Sequence, residues 1–131
     1  MLVRSLFIAM LCLAFTGTAV AQTKLATPSV VKIVTTGSSS ILTGSNGMTL
    51  YFEDTDTVGK SVCNGPCATN WPPLTAAADA KPVGDFSIIT RDDGTLQWAY
   101  KGKPLYFWKN DKQPGDTTGD GVAGRWHVGQ P

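Results

Sequence analysis

Tyr106-Phe107-Trp108-Lys109-Asn110-Asp111 has a counterpart 55 positions upstream, Tyr51-Phe52-Glu53-Asp54-Thr55-Asp56, and this pair decides the fold. Carried outward at the same offset, residues 31–71 align with residues 86–126 without a gap, with nine identities in 41 positions. They are Ile33/Ile88, Thr35/Thr90, Gly47/Gly102, Leu50/Leu105, Tyr51/Tyr106, Phe52/Phe107, Asp56/Asp111, Ala68/Ala123 and Trp71/Trp126. Glycines, aromatics and an acid dominate the set, so the chain contains a duplicated unit.

Each unit reads as β-structure. Val30-Val31-Lys32-Ile33-Val34-Thr35 and Phe86-Ser87-Ile88-Ile89-Thr90 are rich in β-branched residues. Ser40 to Thr43, a Gly44-Ser45-Asn46-Gly47 turn and Met48 to Phe52 predict a hairpin. Thr95 to Tyr100, a Lys101-Gly102 turn and Lys103 to Trp108 predict its second copy. A long polar loop then leads to Trp71 in one unit and Trp126 in the other. No window carries a helical stripe, and Leu74 to Ala80 makes one turn at most. A lone hairpin cannot bury its own face in water. The two units are therefore expected to pack about a pseudo-twofold axis as an all-β, small antiparallel sandwich or barrel-like domain. Leu50, Phe52, Ile88, Leu96, Trp98, Leu105 and Phe107 are its candidate core.

The flanking sequence predicts export. Met1 to Arg4 is a positive n-region, Ser5 to Phe15 an apolar run, and Ala19-Val20-Ala21 a cleavage site before Gln22. The run is too short to span a bilayer. Residues 1–21 are accordingly a cleaved signal peptide, 22–29 a flexible leader, and 30–131 one β domain with repeats at 31–75 and 86–130 and a linker at 76–84. Eleven Lys and Arg face ten Asp and Glu, and Arg4 leaves with the signal, so the mature chain is neutral. That balance excludes nucleic acid as a partner, and with so few long apolar runs no membrane span is expected after cleavage. Cys12 also leaves, so three cysteines become two, Cys63 and Cys67 in Cys-Asn-Gly-Pro-Cys. In an oxidising compartment this pair reads first as a structural disulfide, with a metal thiolate or a redox couple as alternatives.

The second-copy hexapeptide fits Y-x-[FWY]-x-x-D. With Trp71-Pro72-Pro73-Leu74, the Cys-x-Gly-x-Cys-Ala segment and Gly102-Lys103-Pro104-Leu105-Tyr106, it resembles the bacterial "secreted repeat" family of predicted lipoproteins. The first copy departs at Glu53, where the pattern has an aromatic. No cysteine sits where a lipid would attach, which implies a soluble member. The resemblance implies a location and a fold but brings no activity with it.

The motif residues Tyr51, Asp56, Tyr106, Trp108, Asp111, Trp71 and Trp126 read chiefly as scaffold. Strand alternation puts Tyr106 and Trp108 on one face and Phe107 on the other, with Asp111 accepting loop amides. Three chemistries compete with that reading. Asp116, Thr118 and Asp120 stand at positions 1, 3 and 5 of a calcium-type loop, but position 12 is His127 rather than Glu. Cys63, Cys67 and His127 make a set suited to a periplasmic copper or zinc carrier. Hydrolysis finds no nucleophile elbow and no obvious general base, so no catalytic residue is assigned. The expectation is a non-enzymatic, periplasmic or secreted binding or interaction module. No cofactor is expected. The partner is an envelope protein or small ligand, bound near Tyr100, Trp108 and residues 116–120.

Overall fold

A computed structural model describes residues 13–14, 16–18 and 24–131. Most of the signal-peptide reading, with Cys12 and the cleavage site, lies outside these residues. Among the described residues the chain forms seven short strands: β1 (Val31–Thr36), β2 (Ser39–Gly44), β3 (Tyr51–Glu53), β4 (Phe86–Thr90), β5 (Leu96–Tyr100), β6 (Lys103–Pro104) and β7 (Trp126–Val128). One helix, α1 (Pro66–Asn70), and one 3-10 turn (Val122–Gly124) complete it.

The strands pair antiparallel as β1-β2, β3-β7 and β4-β5-β6. The second-copy hairpin forms with the predicted turn, but its second arm, expected to run to Trp108, stays with β5 only as far as Leu105 before Tyr106 pairs with Tyr51. Lys101 and Gly102 both take positive φ, +48 and +80°, which a two-residue turn matching the strand twist requires. In the first copy the 44–47 turn also forms, with the Gly44 N–H donating to the Met48 carbonyl at 2.9 Å. The predicted strand from Met48 to Phe52 does not stay in that hairpin, however. Leu50 still donates to Leu42, but from Tyr51 onward the chain pairs with β7 of the second unit.

The gapless alignment also needs a local correction. Leu42 accepts from Leu50 and donates to Gly129; Trp98 accepts from Leu105 and donates to Leu74. Leu50/Leu105 and Leu74/Gly129 keep the offset of 55, whereas Leu42 and Trp98 are 56 apart. Between matched positions, Ile33 to its partner Leu42 is one residue shorter than Ile88 to its partner Trp98, and Leu42 to Leu50 is one residue longer than Trp98 to Leu105. The two differences cancel, so the sequence comparison passes over them.

Alternation along β3 and its counterpart builds the layers. Leu50 and Phe52, with Leu105 and Phe107, face a cluster that holds Val31, Leu42, Leu74, Phe86, Trp98 and Tyr100. Tyr51, Tyr106 and Trp108 face the opposite side, where Trp71, Trp126 and Cys63 lie. A sandwich-like body results, with the tyrosine segments as the shared middle. Of the candidate core, Leu50, Trp98 and Leu105 are buried, and Phe52, Ile88 and Phe107 pack against the cluster. Leu96 is only half-buried and belongs to neither layer. Within the leader, Pro28 is buried and Leu25 packs on the first cluster. Residues 74–80 form no helix; instead Ala76 donates to the Leu96 carbonyl at 2.9 Å.

The units trade strands, so neither is complete alone. Urea unfolding should show one transition with coincident fluorescence and circular dichroism curves. A fragment of residues 86–131 should be unfolded as a monomer. A folded, monomeric fragment by far-ultraviolet circular dichroism would contradict the exchange.

Candidate functional site

The pseudo-twofold axis runs between the two motif tyrosines. The Tyr51 N–H donates to the Tyr106 carbonyl at 2.8 Å, and the Tyr106 N–H donates back to Tyr51 at 3.1 Å. Equivalent residues thus face each other as a reciprocal antiparallel pair. Around them the contacts cross between repeats in matching sets. Asp54 donates to the Arg125 carbonyl and Lys109 to the Asn70 carbonyl, at 2.9 and 3.0 Å. The β3–β7 ladder has its image in Tyr106 bridging Pro73 and Phe107 donating to the Pro72 carbonyl at 2.7 Å. Pro72 and Pro73 have no N–H to give, so that image stays a bridge rather than a ladder.

The motif explains itself in the same way. The Tyr51 hydroxyl donates to Asp111 Oδ2, and the Tyr106 hydroxyl donates to Asp56 Oδ2, both at 2.6 Å. Tyrosine and aspartate of one hexapeptide therefore do not meet; each finds its partner in the other copy. The second oxygen of each acid orders a loop, as the sequence suggested for Asp111. Asp111 Oδ1 accepts from the Thr118 N–H and hydroxyl, and Asp56 Oδ1 accepts from the Val62 N–H at 2.8 Å. Burial first, and the carboxylate partner second, raise both phenols above their ordinary value. Burial also raises the Asp56 carboxyl, against the opposing bonds from Tyr106 and Val62.

Trp71 and Trp126, the paired tryptophans, stack on each other at 3.7 Å with planes 1° apart. Tyr51 meets Trp71 edge-on at 5.4 Å, and Tyr106 meets Trp126 edge-on at 5.1 Å. Symmetry ends at the third motif position. Trp108 extends the stack over Trp71 at 4.0 Å. Glu53, in the equivalent place, is buried and pairs with Arg125 Nε at 3.1 Å while accepting from Thr55.

A buried arginine lies beyond Tyr106 and escaped the sequence reading. Arg91 is 4% exposed; its Nη1 donates to Ser61 Oγ at 3.0 Å and Gln97 Oε1 at 2.7 Å, and its Nη2 to the Cys63 carbonyl. Ser61 Oγ in turn lies 2.6 Å from the Tyr106 hydroxyl. Nothing in the local pattern marks Arg91, because its partners are neutral groups, and Ser61 and Cys63 are about thirty residues away.

The cysteine loop is closed: Cys63 and Cys67 form a disulfide, with sulfurs 2.05 Å apart. The pair first read as a structural disulfide is one, and the two cysteines of the alternative metal set are bonded to each other. The loop also holds α1, opened by Pro66 at its first turn, where the sequence suggested a turn alone. The side chains of the calcium-type loop turn to separate neighbours. Asp116 accepts from the Lys112 and Gln113 amides, Thr118 donates to Asp111, and Asp120 accepts from the Val128 amide. His127 lies on β7, exposed, with Nε2 2.7 Å from Asp54 Oδ2. These four side chains serve separate partners. Among the described residues no three His, Cys, Asp or Glu side chains gather as a metal site.

The expected binding surface divides too. Tyr100 is buried in the first cluster, and Trp108 lies in the stack on the other side of the middle layer. A cleft of about 330 Å³, one of several of comparable volume, lies instead beside the first-copy motif, lined by Phe52, Asp54, Asp56, Val58, Lys103 and His127 among others. Lys103 Nζ sits 5.1 Å above the Phe52 ring.

Residues 32–75 and 87–129 each match a protein family described as "Secreted repeat of unknown function". No curated protein and no solved structure matches the chain.

Gly119 is buried, and a methyl group on it would come within 2.9 Å of both Trp71 and Tyr51. Gly119→Ala should destabilise by about 1–3 kcal/mol in urea titration, as an overpacked site does. Because both phenols hold their protons more tightly folded than unfolded, their contribution is intact below about pH 10 and declines as pH rises further. Phenolate absorbance from Tyr51 and Tyr106 should therefore emerge only with alkaline unfolding. The raised Asp56 carboxyl has the same sign at lower pH. Relative to Asp56→Asn, the parent protein should be favoured by acid and lose that advantage as pH climbs through the carboxylate range. Alkylation should label no cysteine before reduction and both after it. Replacing both with Ser should cost about 2 kcal/mol on the chain-entropy model for so short a loop.

Proposed function

The chain belongs to the family of secreted repeats of unknown function, and from that membership we propose that it acts as a non-enzymatic binding or interaction module outside the cytoplasm. The signal sequence directs it there, and cleavage before Gln22 releases a soluble chain to the periplasm or the medium. Among the described residues no helix is long and apolar enough to cross a membrane. The observation that carries this reading is the crossed bonding of the motif. Every polar side chain of the two hexapeptides' Tyr and Asp positions has its partner inside the protein. The motif builds a scaffold and keeps no group free to attack a substrate.

The ligand belongs in the cleft beside the first-copy motif, where the two copies differ most. Phe52 and Val58 offer apolar walls, and Lys103, Asp54 and His127 offer charge at the rim. A concave site of that kind, apolar with a few polar groups, suits a small molecule or a single protruding side chain.

Exported material should have an intact mass beginning at Gln22. Chromogenic esters, phosphate esters and glycosides should show no turnover above buffer; turnover that vanishes in His127→Ala would overturn the non-enzymatic reading. In amide-shift screening against small carboxylates, amines and sugars, perturbed residues should gather at 52–58, 102–103 and 127. Shifts gathered at residues 116–120 instead would place the site elsewhere.

A further inference from the structure

The second apolar layer holds a continuous column of oxidisable rings. Trp108, half-buried at one end, is 4.0 Å from Trp71; Trp71 is 3.7 Å from Trp126; Trp126 is 5.1 Å from Tyr106. At the far end the Tyr106 hydroxyl donates to Asp56 Oδ2 at 2.6 Å, and Asp56 lines the cleft. Indole and phenol are among the side chains that lose one electron most readily, and rings in contact pass a hole between them far more easily than rings separated by solvent. A phenol that loses an electron becomes a strong acid. It holds the hole only where a base already stands to take the proton.

We propose that this column relays oxidising equivalents inward, from Trp108 at the surface through Trp71 and Trp126 to Tyr106, with Asp56 receiving the phenol proton. An external one-electron oxidant, of the class of oxygen-derived radicals or high-potential metal complexes, takes one electron from Trp108 and is reduced by one. Trp71 refills Trp108, Trp126 refills Trp71, and Tyr106 refills Trp126. As Tyr106 gives up its electron its O–H bond breaks, and the proton moves to Asp56 Oδ2. A neutral tyrosyl radical and a carboxylic acid remain. One electron from a small reductant, with the proton returned from Asp56, restores the start.

The second phenol is a side branch. Tyr51 lies 5.4 Å from Trp71, but its partner Asp111 is 7% exposed and already accepts two bonds from Thr118. Asp56 accepts from one amide on its other oxygen and stands at the cleft, where its proton exchanges with water. The high affinity of folded Tyr106 for its proton fits the same role, because the phenol then enters the reaction protonated.

The test uses the mature, disulfide-bonded protein, photogenerated ruthenium(III) tris-bipyridine as oxidant, and electron paramagnetic resonance of the frozen product. The parent protein should give a neutral tyrosyl radical, formed several-fold more slowly in heavy water. Tyr106→Phe should remove most of that signal. Trp108→Phe and Asp56→Asn, each checked for folding by circular dichroism, should slow its formation several-fold. Tyr100→Phe, in the other apolar layer, should leave it unchanged. The proposal is overturned by an indolyl radical with no tyrosyl successor, by a tyrosyl signal that survives Tyr106→Phe, or by equal rates in folded Trp108→Phe and Asp56→Asn.

Discussion

Two backbone hydrogen bonds between Tyr51 and Tyr106 set the geometry on which the rest of the molecule depends. They place identical residues of the two copies face to face, so the contacts that both copies keep recur in matching sets about the axis. The stacked tryptophans, the two tyrosine–aspartate bonds and the two cross-repeat strand pairings all follow from that placement. The copies are thereby woven together rather than docked. Apolar layers form on both sides of the tyrosine segments because alternation sends successive side chains to opposite faces.

Within this near-symmetric frame the differences are concentrated at a few positions. Trp108 completes a three-ring stack, whereas Glu53 turns to Arg125 and leaves room beside Phe52 for the cleft. One phenol accepts from the Gly119 amide; the other lies against Ser61 with Arg91 behind it. Among the described residues the buried guanidinium has no carboxylate within ion-pair distance, yet three neutral oxygens satisfy it, which lowers the cost of its burial. Duplication supplied the scaffold, and divergence at these positions supplied two unlike ends.

The disulfide and α1 shape the loop leading to Trp71, and the 3-10 turn occupies the matching place before Trp126. Each loop must deliver a tryptophan to the axis, and each uses a short helical turn to do so. The first copy adds a covalent clasp, and the Cys63 carbonyl inside it anchors Arg91. The clasp thus stiffens the wall behind Tyr106 as well as its own loop.

By itself the sequence determined the duplication, the all-β character, the pseudo-twofold packing and the cysteine bridge. Each of these rests on local or self-comparing signals: recurring aromatics at one spacing, β-branched runs, turn residues, and two cysteines four apart. Alternation also assigned Tyr106, Phe107 and Trp108 to their faces correctly. Which copy each group would join is set only by the packing in three dimensions. Tyr106 and Asp111 lie five residues apart yet bond to opposite partners, and β3 leaves its own hairpin for β7, since a hydrogen bond is satisfied by proximity in space and a symmetric repeat offers two equivalent addresses. The cancelling length differences, the neutral nest around Arg91 and the side chains of Asp116, Thr118 and Asp120 turning to their own neighbours escaped for the same reason. A sequence carries the types of the groups, and the fold alone sets the distances at which they can bond.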